Sequence, residues 1–335
     1  MKTNILMNEK SVKSKTTKDV SVIIVNWNTK ELLVACINSI KNETHNATLE
    51  IIVVDNASTD GSQEALKQRF PDVTLIQNKE NFGFAKANNI GIQASRGKYI
   101  CLVNSDVQVK SVCIDRMINY MEHHPEIGML GPKIFLPGGD VQLSCQRFPS
   151  LWRQFCSAIC LHWIFPQSKI FTGTENSFFS YDKISKVDVL IGAFWLLRRK
   201  ALDQVGLLDE TFFFYGEDKD WCKRFWEKKW KVVFFPGAEI IHFTGGSSTD
   251  TPAKYYIQLH RAGLQYWEKH YSNSVSKCAK TIMMLHQIVR IVLRSGLYAI
   301  KSSDRTNNSY KINRSLTCLQ WLLTTSSKTR FKGEK

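Results

Sequence analysis

Three observations predict an α/β fold for this chain of 335 residues: a mostly parallel sheet with helices on both faces, followed by amphipathic helices. Uninterrupted apolar runs rich in valine and isoleucine alternate with stretches of helical period. Strands that are apolar along their whole length belong to sheets buried on both faces, and such sheets are parallel and crossed by helices. Each early run stops abruptly on a polar cluster, and residues 261–335 return to a helical pattern rich in lysine and arginine.

The run Val20 to Val25 reads as the first strand, ends in Asn26-Trp27-Asn28-Thr29, and is followed by a helical period over residues 30–41. Glu50 to Val54 is a second strand, Asp55 to Ser62 a polar loop and residues 63–69 a helix. Val73 to Ile76 makes a third strand, residues 84–95 a helix and Tyr99 to Val103 a fourth strand. The pattern resumes with Val187 to Leu197 and Trp230 to Pro236, and Ile240 to Phe243 carries His242 to the edge of the loop Gly245-Gly246-Ser247-Ser248. In an open α/β sheet, ligands bind outside the carboxyl ends of the strands. Asn26, Asp55 and the triplet Asn104-Ser105-Asp106 all fall there, so one crevice can gather them. Asp60-Gly61 is read as turn and helix-cap chemistry, whereas Asp55 sits where an apolar strand stops and is read as functional. No glycine-rich dinucleotide fingerprint follows the first strand. The stretch Asn81 to Gly91 instead puts small and amide residues at a helix start, where backbone N–H groups could approach a phosphate.

The formal charge of +15 is confined to the ends. Residues 1–18 carry five lysines and one glutamate, residues 261–335 fourteen basic and three acidic side chains, and residues 19–260 balance at 26 of each. A neutral body without a base-reading module argues against a nucleic-acid partner. Residues 280–300 are apolar but interrupted by Arg290 and Arg294, four apart on one helical face, which fits a helix lying on an anionic membrane better than one spanning it. Met1 to Lys18 is polar and basic rather than a signal peptide, and nine scattered cysteines without a Cys-x-x-Cys pair suit reduced, mostly buried thiols.

The segment Phe212-Phe213-Phe214-Tyr215-Gly216-Glu217-Asp218-Lys219-Asp220 places three carboxylates within four residues behind four aromatics. Acids are depleted from apolar surroundings unless a cation, a metal or a proton compensates them. Spacing alone leaves two readings open, a functional cluster or a helix start whose acids complement the helix dipole. Asp220 lies on a different helical face from Asp218 and is expected to pair with Lys223 or Arg224.

Taken in order, Val22 to Asn28, Val53 to Ser62, Asn81 to Phe84, Leu102 to Asp106, Ile191 to Ala193, Gly206 to Glu210 and Gly216 to Asp220 resemble the inverting family 2 glycosyltransferases of GT-A fold, in particular their rhamnosyltransferase-like branch. The resemblance covers about residues 19–250. It implies a GT-A domain over 19–260 with a nucleotide-binding half (19–110) and an acceptor half (111–260), between the basic flexible arm over 1–18 and the basic helical tail over 261–335, read as membrane-associating, that the charge distribution marks. It further implies that Asp55 accepts the imide N–H of a uracil or thymine ring, with Asn26 beside it. Asn104 and Asp106 would flank the sugar nucleotide, Lys86 would meet phosphate, and Asp106 and His242 would hold Mg²⁺ or Mn²⁺. The usual Asp-x-Asp reads Asn104-Ser105-Asp106 here, so the cation would rely more on diphosphate oxygens. Inverting transfer needs one base and no acid for the leaving diphosphate. By resemblance that base is Asp218, with Glu217 orienting the acceptor or the loop; the sequence alone allows the two to exchange roles.

The implied activity is transfer of a sugar, plausibly L-rhamnose, from a dTDP- or UDP-linked donor to a lipid-linked or growing surface glycan, at the cytoplasmic face of the inner membrane. The aromatic excursion over residues 151–180 then reads as an acceptor loop, a membrane-facing patch or extra core packing. The single carboxylate of the metal motif leaves an inactive sugar-nucleotide-binding relative as the alternative.

Overall fold

The computed structural model describes residues 18–174, 179–243, 253–300 and 305–325. The expected basic arm apart from Lys18, Phe178, the loop Gly245 to Ser248, and residues 301–304 and 326–335 of the tail lie outside the described residues.

The strands are β1 (Val20–Asn26), β2 (Leu49–Asp55), β3 (Thr74–Gln77), β4 (Tyr99–Asn104), β5 (Val107–Val109), β6 (Ile127–Phe135), β7 (Cys145–Gln146), β8 (Ser185–Lys186), β9 (Val189–Leu190), β10 (Phe194–Arg198) and β11 (Lys231–His242). The helices are α1 (Lys30–Glu43), α2 (Ser62–Arg69), α3 (Gly83–Ala94), α4 (Cys113–His123), α5 (Leu151–Ala158), α6 (Leu161–Ile164), α7 (Arg199–Val205), α8 (Glu217–Glu227), α9 (Ala253–His270), α10 (Asn273–Ile300) and α11 (Arg305–Thr324). Among the described residues, nine strands form one sheet in the order β3-β2-β1-β4-β10-β6-β11-β5, with β8 also on β11. The first four strands are parallel to one another and β6 is parallel to β11, while β10, β5 and β8 run antiparallel to their neighbours. The expected mostly parallel sheet is therefore present, with antiparallel members in its second half.

Strand alternation supplies the two buried faces. Val20, Val22 and Ile24 of β1 pack with Leu33 and Ile37 of α1, Leu66 of α2 and Met117 of α4. Ile23, between them, joins Ile52 and Val54 in the opposite layer with Ala85 and Ile92 of α3, Leu202 of α7 and Trp221 and Phe225 of α8. Both sets are buried, which is why the strands read as continuous apolar runs.

Two expectations need correction. Val187 to Leu197 is not one strand: β9 pairs with β7 in a separate two-stranded sheet, and only β10 joins the main one. The break falls at Gly192, against which the rings of Trp195 and Phe84 pack, and Trp195 turns its Nε1 back to the Leu190 carbonyl at 3.2 Å. Conversely, the segments expected as separate at Trp230 to Pro236 and Ile240 to His242 are one strand, β11, whose register against β6 shifts between Phe235 and Glu239. That interval contains Pro236, which has no N–H for a ladder.

The tail is attached rather than free. Helices α9, α10 and α11 bury Tyr256, Leu264, Trp267, Ala279, Met283, Cys318 and Leu322 in a core of their own. Helix α9 runs across the expected boundary at residue 260 and reaches back to the sheet domain, where Ala262 and Tyr266 pack on Phe212. Arg290 and Arg294 are half-buried, and Arg294 donates to Asn308 Oδ1 of α11 at 3.2 Å. The exposed stripe of α10 is instead apolar: Ile288, Val292, Leu293 and Leu297. No helix among the described residues is long and apolar enough to cross a membrane.

The strongest polar tie between α8 and α9 is Asp220, which has no exposed surface. Arg224 Nε lies at 2.9 Å, as the sequence spacing anticipated, and Lys269 Nζ and His270 Nε2 at 2.7 and 2.8 Å complete the set; Lys223 pairs with Glu227 instead. Burial alone would raise the Asp220 carboxyl, but the hydrogen bond from His270 and the charges of Arg224 and Lys269 hold it down to about 2. Removing one partner of a buried ion pair leaves the others uncompensated. Asp220→Ala should therefore lower unfolding free energy by about 3 kcal/mol in urea melts at neutral pH; a loss below about 0.5 kcal/mol would show that the tie does not hold α8 to α9.

Candidate active site at the carboxyl edge of the sheet

The parallel register puts Asn26 beside Asp55 and Val25 beside Asn104, so the ends of β1, β2 and β4 share one edge. Asn26 is fully buried and satisfied there: Nδ2 donates to Asp55 Oδ2 (3.2 Å) and Ser58 Oγ (3.0 Å), and Oδ1 accepts from Thr29 Oγ1 (2.7 Å). Thr29 in turn lies 2.7 Å from Ser105 Oγ, which links the first strand to the Asn104-Ser105-Asp106 turn. The loops after β1 and β2 are stitched together, since Asp60 accepts from Lys30 N at 2.8 Å and from Ser62 N at 3.0 Å, in keeping with its reading as turn chemistry.

Asp55 is also fully buried. Its Oδ1 accepts from Ser58 N (3.0 Å) and from Gln63 Nε2 (2.8 Å). Ser58 and Asn26 belong to the fixed frame, whereas Gln63 is a half-exposed side chain on α2 whose amide can swing away. Asn26 thus positions Asp55 and does not itself reach solvent.

Asp106 and His242 are brought together at the same carboxyl edge, where β11 and β5 end the sheet. His242 ends β11, which pairs with β5 in the register His242↔Val107, and Phe243 N donates to the Asp106 carbonyl at 2.9 Å. His242 Nε2 lies 3.2 Å from Asp106 Oδ1, and Nδ1 lies 2.9 Å from Gln142 Oε1. In the tautomer that donates Nδ1–H to that amide oxygen, Nε2 carries its lone pair on the side of the carboxylate. Two electron-pair donors converging this closely fit a cation between or beside them, so the pair can supply two ligands to Mg²⁺ or Mn²⁺. Among the described residues no group of three or more His, Cys, Asp or Glu side chains is arranged for a metal.

The acidic segment is both a helix start and part of this edge. Gly83 opens α3 with a positive φ of 78°, and a Cβ there would strike the Phe213 carbonyl. That carbonyl accepts from Phe84 N at 3.0 Å, and Asn56, the residue after Asp55, donates to the Gly83 carbonyl at 3.2 Å. The loop Phe212 to Tyr215 is therefore pinned to the nucleotide-side elements through α3. The first N–H groups of α3 are used for this, Gly83 N by Asn81 Oδ1 and Phe84 N by Phe213, so they do not form the expected phosphate cradle. Lys86 Nζ lies over the Phe82 ring, 3.8 Å from its centroid, and no contact brings it to the other expected site residues.

Glu217 begins α8 after Gly216, whose φ of 86° needs glycine. It is buried, and its Oε2 has no hydrogen-bond partner among the described residues. Burial, reinforced by the neighbouring Asp218 charge, pushes the Glu217 carboxyl up to about 8. Asp218 is the half-exposed member and accepts from Lys219 N at 2.7 Å.

A model of the family described as Glycosyl transferase family 2 matches residues 21–206. The chain belongs to glycosyl transferase family 2. It is 31% identical over 226 residues to the N-acetylglucosaminyl-diphospho-decaprenol L-rhamnosyltransferase of Mycobacterium tuberculosis, covering 64% of this chain and 73% of that protein. Its fold is similar to that of the mannosyltransferase PcManGT from Pyrobaculum calidifontis in complex with GDP-Man and Mn²⁺ (TM-score 0.54, 14% identity, 92% of this chain and 87% of the other). It is also similar to GalNAc-T7 with UDP, GalNAc and Mn²⁺ (TM-score 0.53, 15% identity, 76% of this chain), of which it spans about half, 51%. The GT-A fold and glycosyltransferase activity expected from the resemblance are thus borne out.

Several residues of this glycosyltransferase site escaped sequence reasoning. Ser58 and Ser105 lie inside motifs that were legible and Gln63 is eight residues from Asp55, but Thr29, Gln142 and Phe213 act through long-range contacts that no spacing encodes. The raised Glu217 carboxyl carries a testable sign. Between pH about 4.5 and 8 the folded protein keeps a proton that the unfolded chain releases, so this group's contribution to stability falls as pH rises. The thermal midpoint of Glu217→Gln relative to wild type should therefore rise between pH 5 and pH 8; a difference that stays constant would mean that Glu217 ionises in the folded state as in the unfolded one.

Proposed function

We propose that this family 2 glycosyltransferase moves a sugar, L-rhamnose by similarity to the mycobacterial relative, from a dTDP- or UDP-linked donor to a lipid-linked glycan acceptor with inversion at the anomeric carbon. The observation that carries the reading is the convergence of Asp106 and His242, 3.2 Å apart, on the sheet that also ends in Asn26 and Asp55. Asp55 takes the base imide once the Gln63 amide has moved aside, and Asn26 with Ser58 holds Asp55 in place. Asn104 lies between this base site and Asp106, the acid that meets the diphosphate. A divalent cation held by Asp106 and His242 would neutralise the charge growing on the departing diphosphate.

Asp218 removes the proton from the acceptor hydroxyl as that oxygen attacks, and its partial exposure leaves it open to the acceptor. Glu217, held in its protonated form around neutral pH by burial, orients the loop and can donate a hydrogen bond. Lys86, folded over Phe82, is left as an accessory cation for phosphate.

The acceptor end favours work at a membrane surface. Trp152, Trp163, Ile164, Phe165 and Ile170 are between 46% and 66% exposed in one stretch of chain, and the apolar stripe of α10 is exposed as well. Exposed apolar patches of this kind, on a protein with a basic tail, suit the interface of an anionic bilayer. A cytoplasmic, peripheral location follows from this reading.

With a dTDP-rhamnose donor and a lipid-linked N-acetylglucosamine acceptor, Asp218→Asn should lower turnover by about 10² to 10⁴-fold while leaving nucleotide affinity within about twofold; weak donor binding with turnover preserved would move the base elsewhere. His242→Ala should raise the Mn²⁺ concentration for half-maximal activity by about tenfold or more, and an unchanged metal titration would remove His242 from the cation site. Trp163→Asp combined with Ile164→Asp should release the protein from phosphatidylglycerol-containing vesicles in a sedimentation assay, and undiminished retention would contradict the membrane-facing role of the insert.

A further inference from the structure

An open cleft of about 210 Å³ lies beside the acidic helix and takes no part in the donor chemistry described above. One wall is Gly216 and Lys219, the residues on either side of Glu217-Asp218. The second is α5, through Arg153 and Gln154, and the rest is formed by Leu259 and Trp267 of α9 with Met283 of α10. The volume is below the roughly 300–1,000 Å³ of sites that enclose a whole small molecule. An open cleft of this size grips a segment of a longer ligand, the remainder of which continues outside.

Its chemistry is mixed in a specific way. The walls from α9 and α10 are apolar, and the side next to the acids carries two cations, Arg153 and Lys219. The Arg153 guanidinium is steadied by one bond, Nη1 to the Phe148 carbonyl at 2.7 Å, and Lys219 forms no ion pair among the described residues. Cations next to an apolar channel match a phosphate ester of a hydrocarbon chain. The exit matches too: Trp152, the neighbour of Arg153 on α5, is 50% exposed, and its indole donates to the Ile170 carbonyl within the exposed apolar patch.

We infer that this cleft binds the diphospho-isoprenoid segment of the acceptor, with the phosphates on Arg153 and Lys219 and the first isoprene units against Leu259, Trp267 and Met283. The inference rests on the proposed lipid-linked acceptor. In such a molecule the diphosphate joins the sugar to the isoprenoid, so phosphates held beside Gly216 and Lys219 present the sugar to Asp218 between them. The chain then leaves over the exposed aromatic patch toward the bilayer.

The test is calorimetric titration of the full-length protein with farnesyl diphosphate, in EDTA so that the diphosphate cannot bind through a divalent cation. Saturable binding is expected, weakened at least tenfold by Arg153→Ala combined with Lys219→Ala and by Leu259→Asp. Leu259 is 45% exposed, so its substitution should leave the thermal midpoint within about 2 °C of wild type and report on the cleft rather than on folding. Inorganic diphosphate and farnesol alone should each bind at least tenfold more weakly than farnesyl diphosphate. Absence of binding, equal binding by the variants, or equal affinity for inorganic diphosphate would overturn the assignment. The transferase reading is checked separately by turnover of Asp218→Asn, so failure of the cleft with that result intact would leave the activity standing and move the lipid elsewhere.

Discussion

The pairing of β1 between β2 and β4 is the constraint on which the rest of the molecule depends. Seven consecutive residue pairs, from Val20↔Leu49 to Asn26↔Asp55, fix which side chains of β1 meet each helical layer. A slip of one residue would exchange the faces, sending Ile23 toward α1 and Val22 toward α3. The same register sets Asn26 against Asp55 at the last step. A buried carboxylate is tolerable there only because donors come with it, from Asn26, Ser58 and Gln63. Core packing and the nucleotide side of the site are consequences of one ladder, which is why the polar clusters stand so abruptly at the ends of apolar runs.

The three acids at the start of α8 show how one short segment carries three different solutions to the same desolvation problem. Asp220 is compensated by Arg224, Lys269 and His270 and serves to fasten α9. Glu217 Oε2 has no hydrogen-bond partner among the described residues, and burial with the Asp218 charge beside it favours the protonated carboxyl. Asp218 stays half-exposed and keeps contact with water. Only the last arrangement leaves a carboxylate both accessible and close to an apolar cleft, which supports giving it the role of base. The helix-start reading and the functional reading were never exclusive, because the first turn of α8 is where all three acids sit.

Legibility followed the range of the interaction. The strands β1, β2, β3 and β4 and helices α1, α2 and α3 could be read within a residue or two, because burial on both faces leaves an apolar run and a helix leaves its period. Strand direction left no such trace: nothing in Phe194 to Arg198 says that β10 enters antiparallel between β4 and β6. At the start of α3, Phe213, 129 positions beyond Phe84, takes an N–H that a local reading left free. Asp106 and His242 were legible as residue types with metal chemistry, but their approach depends on β5 pairing with β11, and the Gln142 that orients the imidazole was invisible. A basic, interrupted apolar stretch likewise does not reveal that Arg294 will meet Asn308 of α11.

The attachment of the tail changes how the catalytic half is best understood. Lys269 bridges Asp220 and Asp209, so one side chain of α9 joins the acidic helix to the Gly206 to Glu210 segment. That segment is itself locked to α3, where Asn89 exchanges hydrogen bonds with the backbone of Leu208. A continuous line of contacts therefore runs from α3, beside the base site, through the Asp209 turn and Lys269 to α9, which forms the apolar wall of the cleft. The domain boundary expected between residues 260 and 261 falls inside helix α9. Its residues both hold Asp220 and line the cleft next to Asp218, so on the proposed reading α9 and α10 belong with the acceptor side. An arm meant only for membrane attachment would have no need of such contacts, whereas a device that must set a lipid-bound sugar against a fixed carboxylate requires them.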